Sequence, residues 1–125
     1  PPSLGYIIAF PSIFEEISWR GVMLVLFRKK YSDRTSILIT ALGFSFLHLI
    51  NLLFDVPANF VLRQVIMGIG FGLFYGYLVL ETDSLFPAML FHYLVNIFIG
   101  SFISGRLQSI GGKLIGDIFS SLKPT

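Results

Sequence analysis

Four long apolar stretches, separated by short polar connections, dominate this sequence. They cover about residues 4–27, 36–54, 58–80 and 85–103. Each is close to the roughly 20 residues that an α-helix needs to cross the hydrocarbon core of a bilayer. Apolar residues run through them continuously instead of alternating with polar ones, which disfavours a transmembrane β-barrel. The sequence therefore predicts an all-α, polytopic transmembrane helix bundle with about four spanning helices.

The composition agrees with a bilayer as the solvent. Hydrophobic residues make up 54% of the 125 residues and charged residues 13%, whereas soluble domains carry about 25% charged residues. A core of this size cannot hide so much apolar surface from water, so lipid must cover the remainder. The net charge is only +2 and the basic residues are not clustered, so we expect no nucleic-acid partner. The absence of cysteine excludes disulfides and thiol catalysis.

The spacing of small and polar residues predicts how the chain is organised. Short connections make neighbouring helices antiparallel. Gly68, Gly72 and Gly76 recur at every fourth position, a spacing that lets another helix approach closely. We interpret residues 1–105 as the transmembrane core. In residues 106–125, apolar side chains recur at helical spacing around a Gly-Gly pair, which predicts an amphipathic helix on the membrane surface or a flexible tail.

Ionisable residues inside an apolar stretch cost several kcal/mol each, so they need partners or a wet cavity. Glu15 and Glu16 are adjacent in the first stretch, and Arg20 follows four residues after Glu16. This spacing puts Glu16 and Arg20 on one helix face in the favourable order for an ion pair. Glu15 lies about 100° away around the helix. We therefore expect Glu16 to be held by Arg20 and Glu15 to be free to act.

Other polar residues lie at similar depths in the second and fourth stretches. His92 and Asn96 are four residues apart and project from one helix face. Counting about 1.5 Å per residue inward from the polar ends of the stretches gives depths of about 20 Å for Glu15, 21 Å for His48, 14 Å for His92 and 20 Å for Asn96. Three helices should thus bring these costly groups together inside the membrane.

Three short motifs carry these residues. They are Glu-Glu-Ile-Ser-Trp-Arg at 15–20, Phe-Ser-Phe-Leu-His at 44–48 and His-Tyr-Leu-Val-Asn at 92–96. In this order they resemble the motifs of the CAAX protease and bacteriocin-processing family, also called the Abi family. The resemblance covers about residues 10–100. It implies an intramembrane, glutamate-dependent endopeptidase of helical fold, similar to the prenyl-protein endopeptidase that removes the last three residues of CAAX proteins.

The resemblance also implies a role for each residue. Glu15 matches the catalytic glutamate, which together with His48 activates the attacking water. His92 and Asn96 match the pair that stabilises the oxyanion of the tetrahedral intermediate. The supporting positions that hold the site correspond to Glu16 and Arg20. We expect an integral, multi-pass protein of a prokaryotic cell membrane that acts on a membrane-associated protein or peptide, with prenylated CAAX proteins and bacteriocin leader peptides equally compatible.

Other functions fit the same residues. Glu15, His48 and His92 are a set that could bind catalytic zinc, although the usual His-Glu-x-x-His helix is absent. We therefore expect no cofactor and keep a zinc-dependent protease as the alternative. A non-enzymatic immunity or scaffold protein would use the polar cluster only to hold helices together. A transporter or proton relay would also place Glu and His inside a membrane.

Overall fold

The computed structural model describes residues 4–99, with side chains from residue 10 onward. Within this part of the chain all regular structure is helical, which confirms the predicted all-α fold. The first helix covers residues 4–28 and the second Asp33–Phe54. The third helix is Ala58–Thr82 and the fourth is Phe86–Ile99. The predicted tail at 106–125 and the boundary at 105 lie outside the described residues.

Two of these helices, the second and the third, are long and apolar enough to cross a membrane. The first carries four charged side chains, and the fourth is short within the described residues. The prediction of four spans is thus matched by four helices, of which two meet the requirements of length and composition. Large apolar side chains such as Phe10 and Leu53 expose 74% and 79% of their surface, as expected for helices that face lipid.

The first and second helices each contain a segment that departs from α-helical geometry. The first helix changes to a π-helix at Ile17–Met23 before it ends as an α-helix at Leu24–Arg28. The second helix is α-helical over Asp33–Leu47 and then tightens to a 3₁₀-helix at His48–Phe54. Both π and extended 3₁₀ segments are uncommon, and such segments often occur at functional sites. These two segments begin directly after Glu16 and at His48, beside the residues predicted to be functional.

The glycines of the third helix lie against the second helix, as their spacing predicted. A Cβ atom added to Gly68, Gly72 or Gly76 would lie 3.0 Å from Ser45, Ala41 or Ile37, respectively. Since the two sets of residues run in opposite directions along the chain, the helices are antiparallel. The helices approach so closely that an added methyl group would be tighter than ordinary van der Waals contact, and its neighbour would have to move aside. This contact fixes the register between the second and third helices.

Both helix-to-helix connections around the third helix use an aspartate in a left-handed conformation. Asp55 ends the 3₁₀ segment with φ 58°, and Asp83 ends the third helix with φ 50°. Aspartate tolerates this region better than most residues because its short side chain can bond locally. The connection between the first and second helices is closed differently, by Ser32, whose hydroxyl accepts a hydrogen bond from the Thr35 N–H.

Candidate functional site

A buried network of Glu16, Arg20 and His92 connects the first and fourth helices. Arg20 Nη1 donates to Glu16 Oε1 at 2.9 Å, so the ion pair predicted from the spacing is present. His92 Nδ1 lies 2.7 Å from the same oxygen and donates to it. The exposed fractions are 0% for Glu16, 1% for Arg20 and 6% for His92. One carboxylate oxygen thus holds both a guanidinium and an imidazole away from solvent.

Arg20 has further partners that the sequence did not reveal. Its guanidinium carbon lies 4.8 Å from the ring centre of Phe44 and 5.4 Å from that of Tyr75, distances at which a cation is attracted to an aromatic face. Its Nη2 also donates to the Gly72 carbonyl at 3.3 Å. Tyr75 in turn stacks on the His92 ring at 5.3 Å. The third helix therefore holds the network from one side.

A second contact, one helical turn away, repeats the link between the first and fourth helices. Asn96 Nδ2 donates to Ser12 Oγ at 3.0 Å, and Ser12 is fully buried. Ser12 precedes Glu16 by four residues and Asn96 follows His92 by four, so the two helices run antiparallel. Ser12 was missed in the sequence, although it continues the stripe formed by Glu16 and Arg20 at every fourth position.

A cavity of about 290 Å³ lies beside this network. Its polar wall consists of Glu15, His48, Asn51 and Gln64. The apolar wall consists of Trp19, Phe44, Leu47 and Ile50. The π-helical segment contributes the tryptophan, and the 3₁₀ segment contributes the histidine, the isoleucine and the asparagine. The two unusual helical segments thus form much of the cavity wall, and they bring Glu15 and His48 to one space.

Glu15 and Glu16 flank the His92 ring from two directions. His92 Nε2 lies 3.5 Å from Glu15 Oε2, while Nδ1 bonds to Glu16. The Glu15 side chain is 35% exposed, in contrast to the fully buried Glu16. The predicted division of the two carboxylates, one held and one open, is therefore seen in the structure. His92 links the buried network to the glutamate that lines the cavity.

The His48 ring is oriented by its own helix. Its Nδ1 lies 3.1 Å from the Phe44 carbonyl oxygen, and because a carbonyl can only accept, Nδ1 carries the hydrogen. In the neutral ring Nε2 is then the acceptor nitrogen. Phe44 packs edge-on against both imidazoles, at 5.1 Å from His48 and 5.9 Å from His92.

The predicted site residues therefore fall into two groups. Glu15 and His48 line the cavity, and His92 contacts Glu15 from the buried network. Asn96 bonds to Ser12 and does not line the cavity. Among the described residues no three His, Asp or Glu side chains are arranged to hold a metal ion.

The cavity also contains a pair of amides that the sequence did not single out as functional. Asn51 Nδ2 donates to Gln64 Oε1 at 3.0 Å, which links the 3₁₀ segment to the third helix. Both lie within apolar stretches, where an uncharged amide is costly without a partner. Their position within apolar stretches was therefore the sequence signal that could have indicated a partner for each amide.

Comparison with known proteins assigns the chain to a family. No curated protein and no solved structure matches it. Residues 2–98, which include all three motifs, match the family described as type II CAAX prenyl endopeptidase Rce1-like. This match confirms the resemblance seen in the motifs. The chain belongs to the type II CAAX prenyl endopeptidase Rce1-like family, and it is a CAAX-type intramembrane endopeptidase that acts on a membrane-associated protein.

Proposed function

We propose that this protein hydrolyses a peptide bond with a water molecule activated by Glu15 and His48. The observation that carries the proposal is that these two side chains line one cavity, while the adjacent Glu16 is fully buried in an ion pair. A carboxylate that is open to a cavity can accept a proton from a bound water. Glu16 already accepts hydrogen bonds from two other side chains on one oxygen, which makes it the less suitable base.

The reaction follows from the groups around the cavity. Glu15 takes one proton from water as the water oxygen attacks the carbonyl carbon of the substrate. The carbonyl π bond opens and its oxygen becomes an oxyanion. When the oxyanion re-forms the carbonyl, the C–N bond breaks and Glu15 passes the proton to the leaving amine. His48 Nε2 accepts a hydrogen bond from the same water and orients it.

His92 and Asn96 are the groups proposed to stabilise the oxyanion. His92 Nε2 is 3.5 Å from Glu15, so an oxyanion formed beside this carboxylate would lie close to the imidazole. Because Nδ1 donates to Glu16, Nε2 is a donor only in a ring that carries a hydrogen on both nitrogens, and this is the form of His92 in the proposal. Asn96 uses one amide hydrogen for Ser12, and its second hydrogen is the donor in this proposal. Each such donor contributes about 3–4 kcal/mol to the stability of the transition state. Glu16 and Arg20 hold His92 in position.

The mechanism uses no cofactor, and the protein acts as a multi-pass enzyme of a prokaryotic cell membrane. Its substrate is a prenylated CAAX protein or a leader peptide, two classes that present a cleavable bond at the membrane. A zinc-dependent reaction would predict loss of cleavage with a chelator and recovery with zinc. Cleavage that persists in the chelator supports the glutamate mechanism.

The decisive experiment compares Glu15→Gln with Glu81→Gln in protein reconstituted into liposomes. Glu81 is an exposed glutamate in the last turn of the third helix, so its variant controls for the loss of a carboxylate. Prenylated CAAX peptides and leader peptides are incubated with each protein and the products are mapped by mass spectrometry. We expect Glu15→Gln to lower cleavage by about 10²–10⁴-fold and Glu81→Gln to leave it unchanged. Native cleavage rates in Glu15→Gln would refute the mechanism.

A further inference from the structure

The Asn51–Gln64 pair lies in the wall of the same cavity as Glu15 and His48. Both side chains are half-buried. Each amide carries one carbonyl oxygen and one NH₂ group. Their mutual hydrogen bond uses the Asn51 NH₂ group and the Gln64 oxygen, and it leaves the Asn51 oxygen and the Gln64 NH₂ group. Within residues 10–99 no other side chain or backbone group bonds to the remaining two. The cavity wall thus presents an unused acceptor beside an unused donor.

A peptide backbone is complementary to this arrangement. Each peptide unit carries one N–H donor and one C=O acceptor, and in an apolar setting both need partners. A substrate drawn into the cavity loses water from its backbone, and the amide pair can replace those hydrogen bonds. The unused groups of the pair and the backbone of an extended peptide thus satisfy each other.

The remainder of the cavity indicates which kind of peptide fits. Its other walls are Trp19, Phe44, Leu47 and Ile50, and no lysine or arginine lines it. An aliphatic side chain would therefore be favoured over an anionic one. The volume of about 290 Å³ is near the lower end for binding sites of small molecules, which suits a short peptide segment.

We propose that the Asn51–Gln64 pair positions the substrate by hydrogen bonding to its backbone next to the scissile bond. This inference rests on the proposed function, in which Glu15 activates water in the same cavity. The backbone of Asn51 is held in place, because its backbone carbonyl accepts hydrogen bonds from the N–H groups of Asp55 and Val56 where the 3₁₀ segment ends. The pair acts on binding, so it is a positioning element and not a catalytic one.

A purely structural role would give a different result. Hydrogen bonds between polar side chains also join membrane helices without touching any substrate. In that case loss of the pair would lower stability, and its effect on cleavage would be the same for every substrate. A change made in the substrate backbone therefore separates the two roles.

The experiment combines enzyme variants with altered substrates. Gln64→Leu and Asn51→Leu are compared with Asn59→Leu, which replaces an exposed asparagine outside the cavity. A series of cleavable peptides carries an ester oxygen in place of one backbone N–H on either side of the scissile bond. We expect one of these esters to raise the KM of the native enzyme about tenfold, the size expected for one hydrogen bond of this kind.

In both Asn51→Leu and Gln64→Leu we expect KM to rise about tenfold and kcat to change less than about twofold. Because Asn51 Nδ2 donates to Gln64 Oε1, the unused acceptor of the pair is Asn51 Oδ1, and it would accept the substrate N–H. The sensitive ester should therefore cause no further loss in Asn51→Leu. Asn59→Leu should behave as the native enzyme does. If no ester affects the native enzyme, or if an ester costs the same tenfold in Asn51→Leu, the inference is wrong. The first of these outcomes requires no variant to fold.

The result is separable from the fate of the proposed mechanism. If Glu15→Gln cleaves normally while ester sensitivity still depends on Asn51, the mechanism fails and the positioning role stands. If Glu15→Gln is inactive and ester sensitivity is absent, the mechanism stands and the positioning role fails. Absence of cleavage by the native protein on every peptide would overturn both.

Discussion

Glu15 and Glu16 are neighbours in the chain but belong to two different regions of the molecule. The packed side, formed by Glu16, Arg20 and His92, is buried, and its charged groups bond to one another. The cavity side, formed by Glu15 and His48 with the amide pair, borders an open space. One residue of rotation, about 100° around the helix, separates the two carboxylates. Identical side chains thus acquire different surroundings through direction alone.

The difference teaches how a membrane fold can keep a carboxylate open to a cavity while it buries the neighbouring one. A charge at the centre of a membrane is tolerated when it is paired and bonded. Glu16 satisfies that condition through two partners, and it holds His92, which in turn contacts Glu15. The packed side therefore contains the fully buried charges and their partners, and the cavity side contains the partly exposed Glu15 carboxylate. Stability and activity should respond separately to changes in the two regions.

The largest effect is expected when the packed side loses its cation. Arg20→Met leaves the Glu16 carboxylate buried without its charged partner, so the free energy of unfolding should fall by about 3–5 kcal/mol. Arg28→Met is the matched control, because Arg28 pairs with Asp33 at 2.7 Å on the surface, with exposed fractions of 43% and 59%. That pair should contribute about 0–1 kcal/mol. Denaturant unfolding in micelles measures the stability of both variants. Equal losses of stability would contradict the distinction between the buried pair and the surface pair.

The two histidines should separate stability from activity. His92→Leu removes a hydrogen bond to a buried carboxylate oxygen, so the free energy of unfolding should fall by about 1–3 kcal/mol. His48→Leu affects a half-buried ring, and its loss of stability should be below about 1 kcal/mol. Both variants should lower kcat by about 10²–10³-fold. Unfolding curves and peptide cleavage are recorded on the same preparations. A large loss of stability in His48→Leu would contradict the assignment of His48 to the cavity side.

The last comparison concerns stability alone and the third helix, whose Gly72 and Tyr75 contact the packed side. In Gly72→Ala the new methyl carbon would lie 3.0 Å from both Cα and Cβ of Ala41, and backbone atoms cannot move aside cheaply. Overpacking of this kind costs about 1–3 kcal/mol. Gly70→Ala has no atom within 4 Å of its new methyl carbon and should be neutral or stabilising by up to about 1 kcal/mol. Thermal unfolding compares the two, and equal melting temperatures would contradict the close approach.

Contacts within one helix were predictable from the sequence. The ion pair between Glu16 and Arg20 follows from a spacing of four residues, and so does the common face of His92 and Asn96. The glycine stripe predicted a close neighbour, although not which residues would face it. The three motifs were sufficient to indicate the family. Each of these inferences depends on helical periodicity, which is a property of the chain itself.

Contacts between helices were not predictable in the same way. Tyr75 stacking on His92, Ser12 bonding to Asn96 and the Asn51–Gln64 pair all require a particular register of one helix against another. A shift by one residue would turn each side chain by about 100° and abolish the contact. The second and third helices obtain their register from the glycine contact with Ala41, which involves atoms distant in the chain.

The sequence alone determined that this protein is helical, that it suits a membrane and that its costly polar groups lie at matching depths. It also assigned the family through residues that neighbour one another in the chain. Only the tertiary structure decided which side chains surround the held carboxylate, that a cavity borders the open one, and which amides line that cavity. The physical reason is that periodicity sets the direction of a side chain within its helix. Burial and hydrogen bonding depend instead on which side chains of the other helices lie in that direction.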